Sequence, residues 1–167
     1  MSDVQIQRID KSNWKRACNI QIWQDQKRYL SEVSFCLARA YINPCQKPIE
    51  PFVVEKGSEI IGFFWITFTD SMETCILCGF RIDKRFQRLG YAKTALKKLR
   101  DHLDINNGEC ASIQLFVEAD NGAAIRLFKE FGFKQVMDYD GKLLLLAYQI
   151  RNGTQIIKIN ENVLDDE

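Results

Sequence analysis

The stretch Phe80-Arg-Ile-Asp-Lys-Arg-Phe-Gln-Arg-Leu-Gly-Tyr-Ala-Lys-Thr-Ala-Leu-Lys-Lys-Leu99 constrains this chain more than any other. It reads as an apolar strand ending near Ile82, a charged turn, and a helix opening at about Leu89. Leu89, Ala92, Leu96, Leu99 and Leu103 recur at helical spacing, which predicts one apolar face turned to a sheet. Within Gln87-Arg-Leu-Gly-Tyr-Ala92, Gly90 and Ala92 are small where a bulky ligand must come close to backbone. The first N–H groups of a helix lack internal partners, and the helix dipole favours anions at that end. Strand, glycine turn and helix start together predict a pyrophosphate cradle. The Gly-x-Gly-x-x-Gly spacing of a dinucleotide site is missing, and no Gly-Lys-Ser/Thr of a Walker loop follows.

At 167 residues the chain is long enough for one domain with a sizeable core. Its net charge of +1 gives no sign of a nucleic-acid or anionic-membrane partner. The start Met-Ser-Asp-Val-Gln-Ile lacks the basic residues and apolar run of a secretory signal, so a cytoplasmic location is expected. The longest apolar runs, Ile60–Phe68 and Leu143–Tyr148, fall short of a membrane span.

The six cysteines, Cys18, Cys36, Cys45, Cys75, Cys78 and Cys110, are expected as reduced thiols, several of them buried. Cys75-x-x-Cys78 has the spacing of half a zinc or redox site. It lies in an expected strand, where residues three apart point to opposite faces. No second such pair exists, and the one histidine, His102, is expected on a helix surface. No metal is expected.

Read in order, Val4–Ile9 alternates as a half-buried strand, and Trp14, Ala17, Cys18 and Ile22 suggest a short helix with Asp10 and Ser12 as capping types. Gln26–Tyr41 supplies a connector and a second helix, stopped by Asn43-Pro44. Pro51–Lys56 and Glu59–Phe68 form a hairpin about Gly57-Ser58, and Thr74–Ile82 follows as a strand. After the central helix, ending by Asp104, come a strand over Ser112–Glu118 and a helix over Asn121–Phe131 ended by Gly132. Phe133–Met137 and Lys142–Ile150 complete the strands. Residues 1–150 are expected as one α/β domain with a mixed central sheet flanked by helices, and 151–167 as a tail in which Gln155–Ile159 adds an edge strand before fraying.

The spacing Gln87-x-x-Gly90-x-Ala92 after a strand resembles the acetyl-coenzyme A loop of the GNAT superfamily of N-acetyltransferases. Asn121-Gly-Ala-Ala-Ile-Arg-Leu-Phe-Lys-Glu-Phe-Gly-Phe133 is similar to that superfamily's next motif, Asn-x-x-Ala-x-x-Leu-Tyr-x-x-x-Gly-Phe. The element order agrees with the GNAT fold, so the resemblance spans roughly Val4 to Ile150. It implies acetyl-CoA as co-substrate. Backbone of Phe80, Arg81 and Ile82 would pair with the pantetheine arm as an added strand does. N–H groups of Gln87, Arg88, Leu89, Gly90, Tyr91 and Ala92 would hold the pyrophosphate, with Arg88 and Lys84 or Arg85 adding charge. Asn121 would bond the pantetheine region, and is equally a helix N-cap. Ala124 and Phe128 would line the acyl end.

In this superfamily an amine attacks the thioester directly in a ternary complex. An ammonium must lose a proton, the oxyanion must be stabilised and the thiolate must leave. Many members carry a tyrosine acid where Phe128 stands, and Phe128 donates no proton. Tyr139, Tyr91 or water are the remaining donors, and a water held by Glu118 or Glu32 is a candidate base.

The segment Gln26–Tyr41, the strand-turn sequence and Asp140-Gly141 are similar to bacterial diamine, or spermine/spermidine, N-acetyltransferases, which implies a polyamine or diamine substrate bound by Tyr29 and Glu32. Glu32, Asp70, Glu73, Asp138 and Asp140 are carboxylates that would border a polycation site, or else solvated surface. Two other readings stay open: acetylation of a protein N-terminus or lysine, and an acetyl-CoA-binding module without turnover. A homodimer is left open as well.

Overall fold

A computed structural model describes residues 3–43 and 46–151. Among these residues seven strands form one mixed sheet in the order β1-β2-β3-β4-β5-β7-β6. They are β1 Val4–Arg8, β2 Glu50–Lys56, β3 Glu59–Phe68, β4 Thr74–Ile82, β5 Ser112–Glu118, β6 Lys134–Tyr139 and β7 Leu143–Gln149. The helices are α1 Trp14–Ala17, α2 Val33–Ile42, α3 Tyr91–Asn106 and α4 Gly122–Phe131. All neighbouring strands are antiparallel except β4 and β5, which run parallel.

Strand alternation sends side chains to two cores. On one face Phe52, Ile61, Phe64, Ile66 and Leu115 meet Leu96, Leu99 and Leu103 of α3 and Phe128 of α4. Each fully buried leucine of α3 contributes roughly 1.5–3 kcal/mol relative to an exposed one. On the other face Val53, Phe63 and Trp65 pack against Ala17, Val33 and Cys36 of α1 and α2. Cys75 belongs to the first face, whereas Cys78 packs toward the second, as expected for residues three apart in a strand.

Several boundaries depart from the sequence expectation. The central helix opens at Tyr91, not Leu89, because Gly90 at its N-cap is left-handed (φ 82°) and cannot be helical. Leu89 is therefore outside the apolar face and 53% exposed. The same helix runs on to Asn106 rather than ending by Asp104. α1 stops at Ala17, leaving Ile22 beyond it. Asp10 does not cap α1; its carboxyl accepts the Ser12 N–H and hydroxyl at 2.7 and 2.6 Å. His102 is half-buried, with its ring edge-on to Phe52 at a centroid distance of 5.3 Å. The edge strand expected over Gln155–Ile159 lies outside the described residues. No helix among the described residues is long and apolar enough to cross a membrane.

Candidate functional site

The parallel pair β4–β5 is short: Thr74, Cys75 and Ile76 face Ser112, Ile113 and Gln114, and then the strands part. The remainder of β4, Leu77 to Ile82, keeps one edge on β3 and turns the other into a cleft of about 1610 Å³. Leu115 to Glu118 of β5 line the opposite wall. A strand edge such as that at Phe80–Ile82 offers alternating N–H and C=O groups to an extended ligand. The edge is bent by a bulge, where the register against β3 shifts between Phe63–Arg81 and Trp65–Cys78. Gly79 in this bulge is left-handed at φ 60°, and a Cβ there would sit 3.2 Å from Trp65 Nε1.

The turn after β4 is held by two side chains. Buried Asp83 accepts from Arg85 N–H at 3.0 Å, from Arg85 Nε at 2.9 Å and from the Gln21 N–H at 3.1 Å. Burial raises the Asp83 pKa, but the bonds from Arg85 and Gln21 outweigh it and leave the carboxyl below its ordinary value. Gln87 Nε2 donates to Ile82 O at 2.8 Å and to Gln26 Oε1 at 3.0 Å. The backbone then takes two left-handed residues, Arg88 (φ 61°) and Gly90 (φ 82°), on either side of Leu89. The first bond of α3 runs from the Thr94 N–H to Gly90 O, so the N–H groups of Tyr91, Ala92 and Lys93 precede the helix ladder.

At the start of α4, Asn121 Oδ1 accepts the Ala124 N–H at 3.2 Å, the N-cap bond expected from sequence. Phe128 is buried against Phe80 and Phe133, with ring centroids 6.0 and 5.4 Å away. Lys93 joins α3 to α4 through Glu130 at 2.8 Å. Across the cleft, Arg28 pairs with Asp120 at 3.2 Å and also donates to the Tyr29 hydroxyl. Burial and a bond to Asp120 raise the Tyr29 pKa.

Of the residues expected to meet acetyl-CoA, Phe80, Arg81, Ile82, Gln87, Arg88, Gly90, Ala92, Asn121, Ala124 and Phe128 line this one cleft. Leu89 and Tyr91 do not; the Tyr91 ring turns to Phe86 and the Lys56 ammonium. Tyr29 and Glu118 line the cleft, whereas Glu32 and Tyr139 do not. Tyr139 packs beside Phe116, with centroids 6.0 Å apart. Asp70, Glu73, Asp138 and Asp140 are also elsewhere; the lining carboxylates are Asp25, Glu118 and Glu130. Trp65, Cys36 and Arg39 enter the lining with no sequence signal, through the packing of α2 on β3. The Gly79 bulge had a signal, a glycine inside an apolar strand. Among the described residues no group of three or more His, Cys, Asp or Glu side chains is placed to hold a metal ion.

The pattern of the Acetyltransferase (GNAT) family matches residues 12–133. The spermine/spermidine N(1)-acetyltransferase of Bacillus subtilis is 28% identical over 150 residues, covering 86% of this chain and 97% of that protein. Among solved structures, a spermidine N-acetyltransferase from Vibrio cholerae, in complex with CoA and spermine, superposes with a TM-score of 0.69 at 15% identity. That match covers 89% of this chain and 96% of the other. The ribosomal-protein-S18-alanine N-acetyltransferase of Escherichia coli gives 0.64 at 19% identity, over 93% and 99% of the two chains. The family pattern takes in both the strand-turn-helix at Phe80–Leu99 and the helix from Asn121, and by it this chain belongs to the GNAT family of acetyltransferases.

Proposed function

We propose that this chain transfers the acetyl group of acetyl-CoA to a primary amine of a small molecule, of the polyamine or diamine class, within a ternary complex. The observation that carries the reading is the parting of β4 from β5 directly before a helix start whose first N–H groups precede the ladder. An extended pantetheine arm suits the free edge at Phe80–Ile82, and a pyrophosphate suits the N–H groups of the Arg88–Ala92 turn. The polyamine class is supported by the name of the Bacillus relative. We assign the activity to a single domain over residues 1–150.

The amine nitrogen forms a bond to the thioester carbonyl carbon, the C–S bond breaks, and the ammonium proton passes to a base. We assign to Glu118, at the end of β5 on the cleft wall, the holding of a water for that purpose. Phe128 supplies apolar surface and no proton. A thiolate of pKa about 8.5 leaves tolerably at neutral pH without an acid.

The test is release of free thiol from acetyl-CoA by purified protein, with spermine, spermidine, putrescine and an alanine-starting peptide as acceptors. Release with the polyamines supports the reading. Release with the peptide alone moves the substrate to protein N-termini. Tight acetyl-CoA binding without release from any acceptor makes the chain a binding module.

A further inference from the structure

Arg81 is 5% exposed, and among the described residues no carboxylate lies within ion-pair distance of it. Its guanidinium instead donates from Nε to Gly79 O at 3.0 Å and from Nη1 to Ser31 O at 2.5 Å. Nη2 lies 3.9 Å from Cys36 Sγ, and the group sits 5.6 Å from the centroid of the Phe63 ring. Burial lowers its pKa, opposed by Cys36 and Glu32. Taking a guanidinium out of water with no carboxylate in contact is costly, whereas an apolar side chain would fill the space at no such cost. A directional tie offsets that cost in a way that an apolar filler cannot.

The two ends of the tie are informative. One is the bulge at Gly79, on the strand whose free edge continues through Phe80 and Ile82. The other is Ser31 and the first turn of α2, which with Tyr29 and Leu30 form the facing wall. Planar guanidinium geometry fixes both distance and angle between its acceptors. Resting on the function proposed above, we infer that Arg81 is a positioning residue, setting the wall at Tyr29–Cys36 against the bulged strand so that the acceptor amine meets the acyl carbon. Its backbone serves the cofactor side and its side chain the acceptor side. A misplacement of about 1 Å in such a wall is enough to cost about a hundredfold in rate.

The experiment compares wild type, Arg81→Met and Arg81→Lys. Arg81→Met keeps the length and apolar volume; Arg81→Lys keeps the charge but can satisfy only part of the set of acceptors. Hydrogen exchange is expected to quicken at amides of residues 29–36 in Arg81→Met, while amides of residues 87–94 are unchanged. With the best amine found, KM for amine is expected to rise by roughly tenfold or more, and KM for acetyl-CoA to stay within about twofold. Arg81→Lys falls between the two. Unchanged exchange at residues 29–36 overturns the proposal whether or not any amine is turned over, which separates its failure from that of the acetyl-transfer reading. Equal rises in both KM values, or collapse of both variants to unfolded chain, also overturn it by assigning Arg81 to the fold alone.

Discussion

The Phe128 ring meets Phe80 edge-on, with centroids 6.0 Å apart, and so joins α4 to the cleft edge of β4. Phe128→Tyr would place a hydroxyl at this junction, facing the cleft that Phe128 lines. Acetyl-CoA affinity is expected to hold and turnover to rise, by about a hundredfold at most, since general acids contribute about 10²–10⁴-fold and a thiolate needs little help. A pH–rate profile checks it. An alkaline limb identical to that of wild type means that the new hydroxyl does not protonate the leaving group.

Gly90 is left-handed at φ 82° and caps α3. Gly90→Val places a branched side chain where an L residue is strained and where the proposed pyrophosphate would approach. Acetyl-CoA binding is expected to weaken by about tenfold or more, with the circular dichroism of a folded chain. Calorimetric titration decides, and undiminished affinity in a folded variant would place the pyrophosphate elsewhere.

A Cβ at Gly62 would lie 2.7 Å from Arg81 O and 2.8 Å from Ile82 Cδ1. The first is backbone and cannot step aside, so Gly62→Ala pushes β3 from β4 at the bulge. Urea unfolding is expected to show a loss of about 1–3 kcal/mol. Gly122→Ala, with nothing within 4 Å of its Cβ position, is the control and is expected to lose no stability.

His102 is the single histidine of the chain. Burial first, and then the Arg8 charge, lower its pKa from 6.5. The unfolded chain therefore binds this proton more readily than the folded one. Stability from this source is whole above about pH 6.5 and is lost as pH falls from there through the folded pKa. His102→Gln is expected to flatten the urea midpoint across that interval. A slope persisting in the variant would assign the sensitivity to other groups.

The strands Glu59–Phe68, Thr74–Ile82 and Ser112–Glu118 were legible to the residue, because long apolar β-branched and aromatic runs are bounded there by turn formers. The turn and the helix cap that line the cleft were legible for a related reason: a glycine turn and an asparagine cap are local devices. The facing wall at Tyr29–Cys36 was not. Nothing in the sequence marks the Arg81 side chain as buried, because its acceptor Ser31 and its neighbour Cys36 lie fifty and forty-five positions upstream. Leu89 fits a helical stripe by spacing, yet the left-handed Gly90 detaches it from the helix. Glu32, Asp138 and Asp140 fell in plausible loops, but loop sequence does not say which end of a sheet a loop reaches.

Among the described residues the sheet's half of four strands meets its half of three along three residue pairs between β4 and β5, with the Ser112 N–H also donating to Glu73 O at 3.2 Å. A force pulling the two halves apart in the plane of the sheet loads this short row directly. A molecule that pairs along Phe80–Ile82 would lengthen that row and carry load from one half to the other, as a splint carries it across a fracture. Under the function proposed above, occupancy of the cleft would stiffen the sheet across this join.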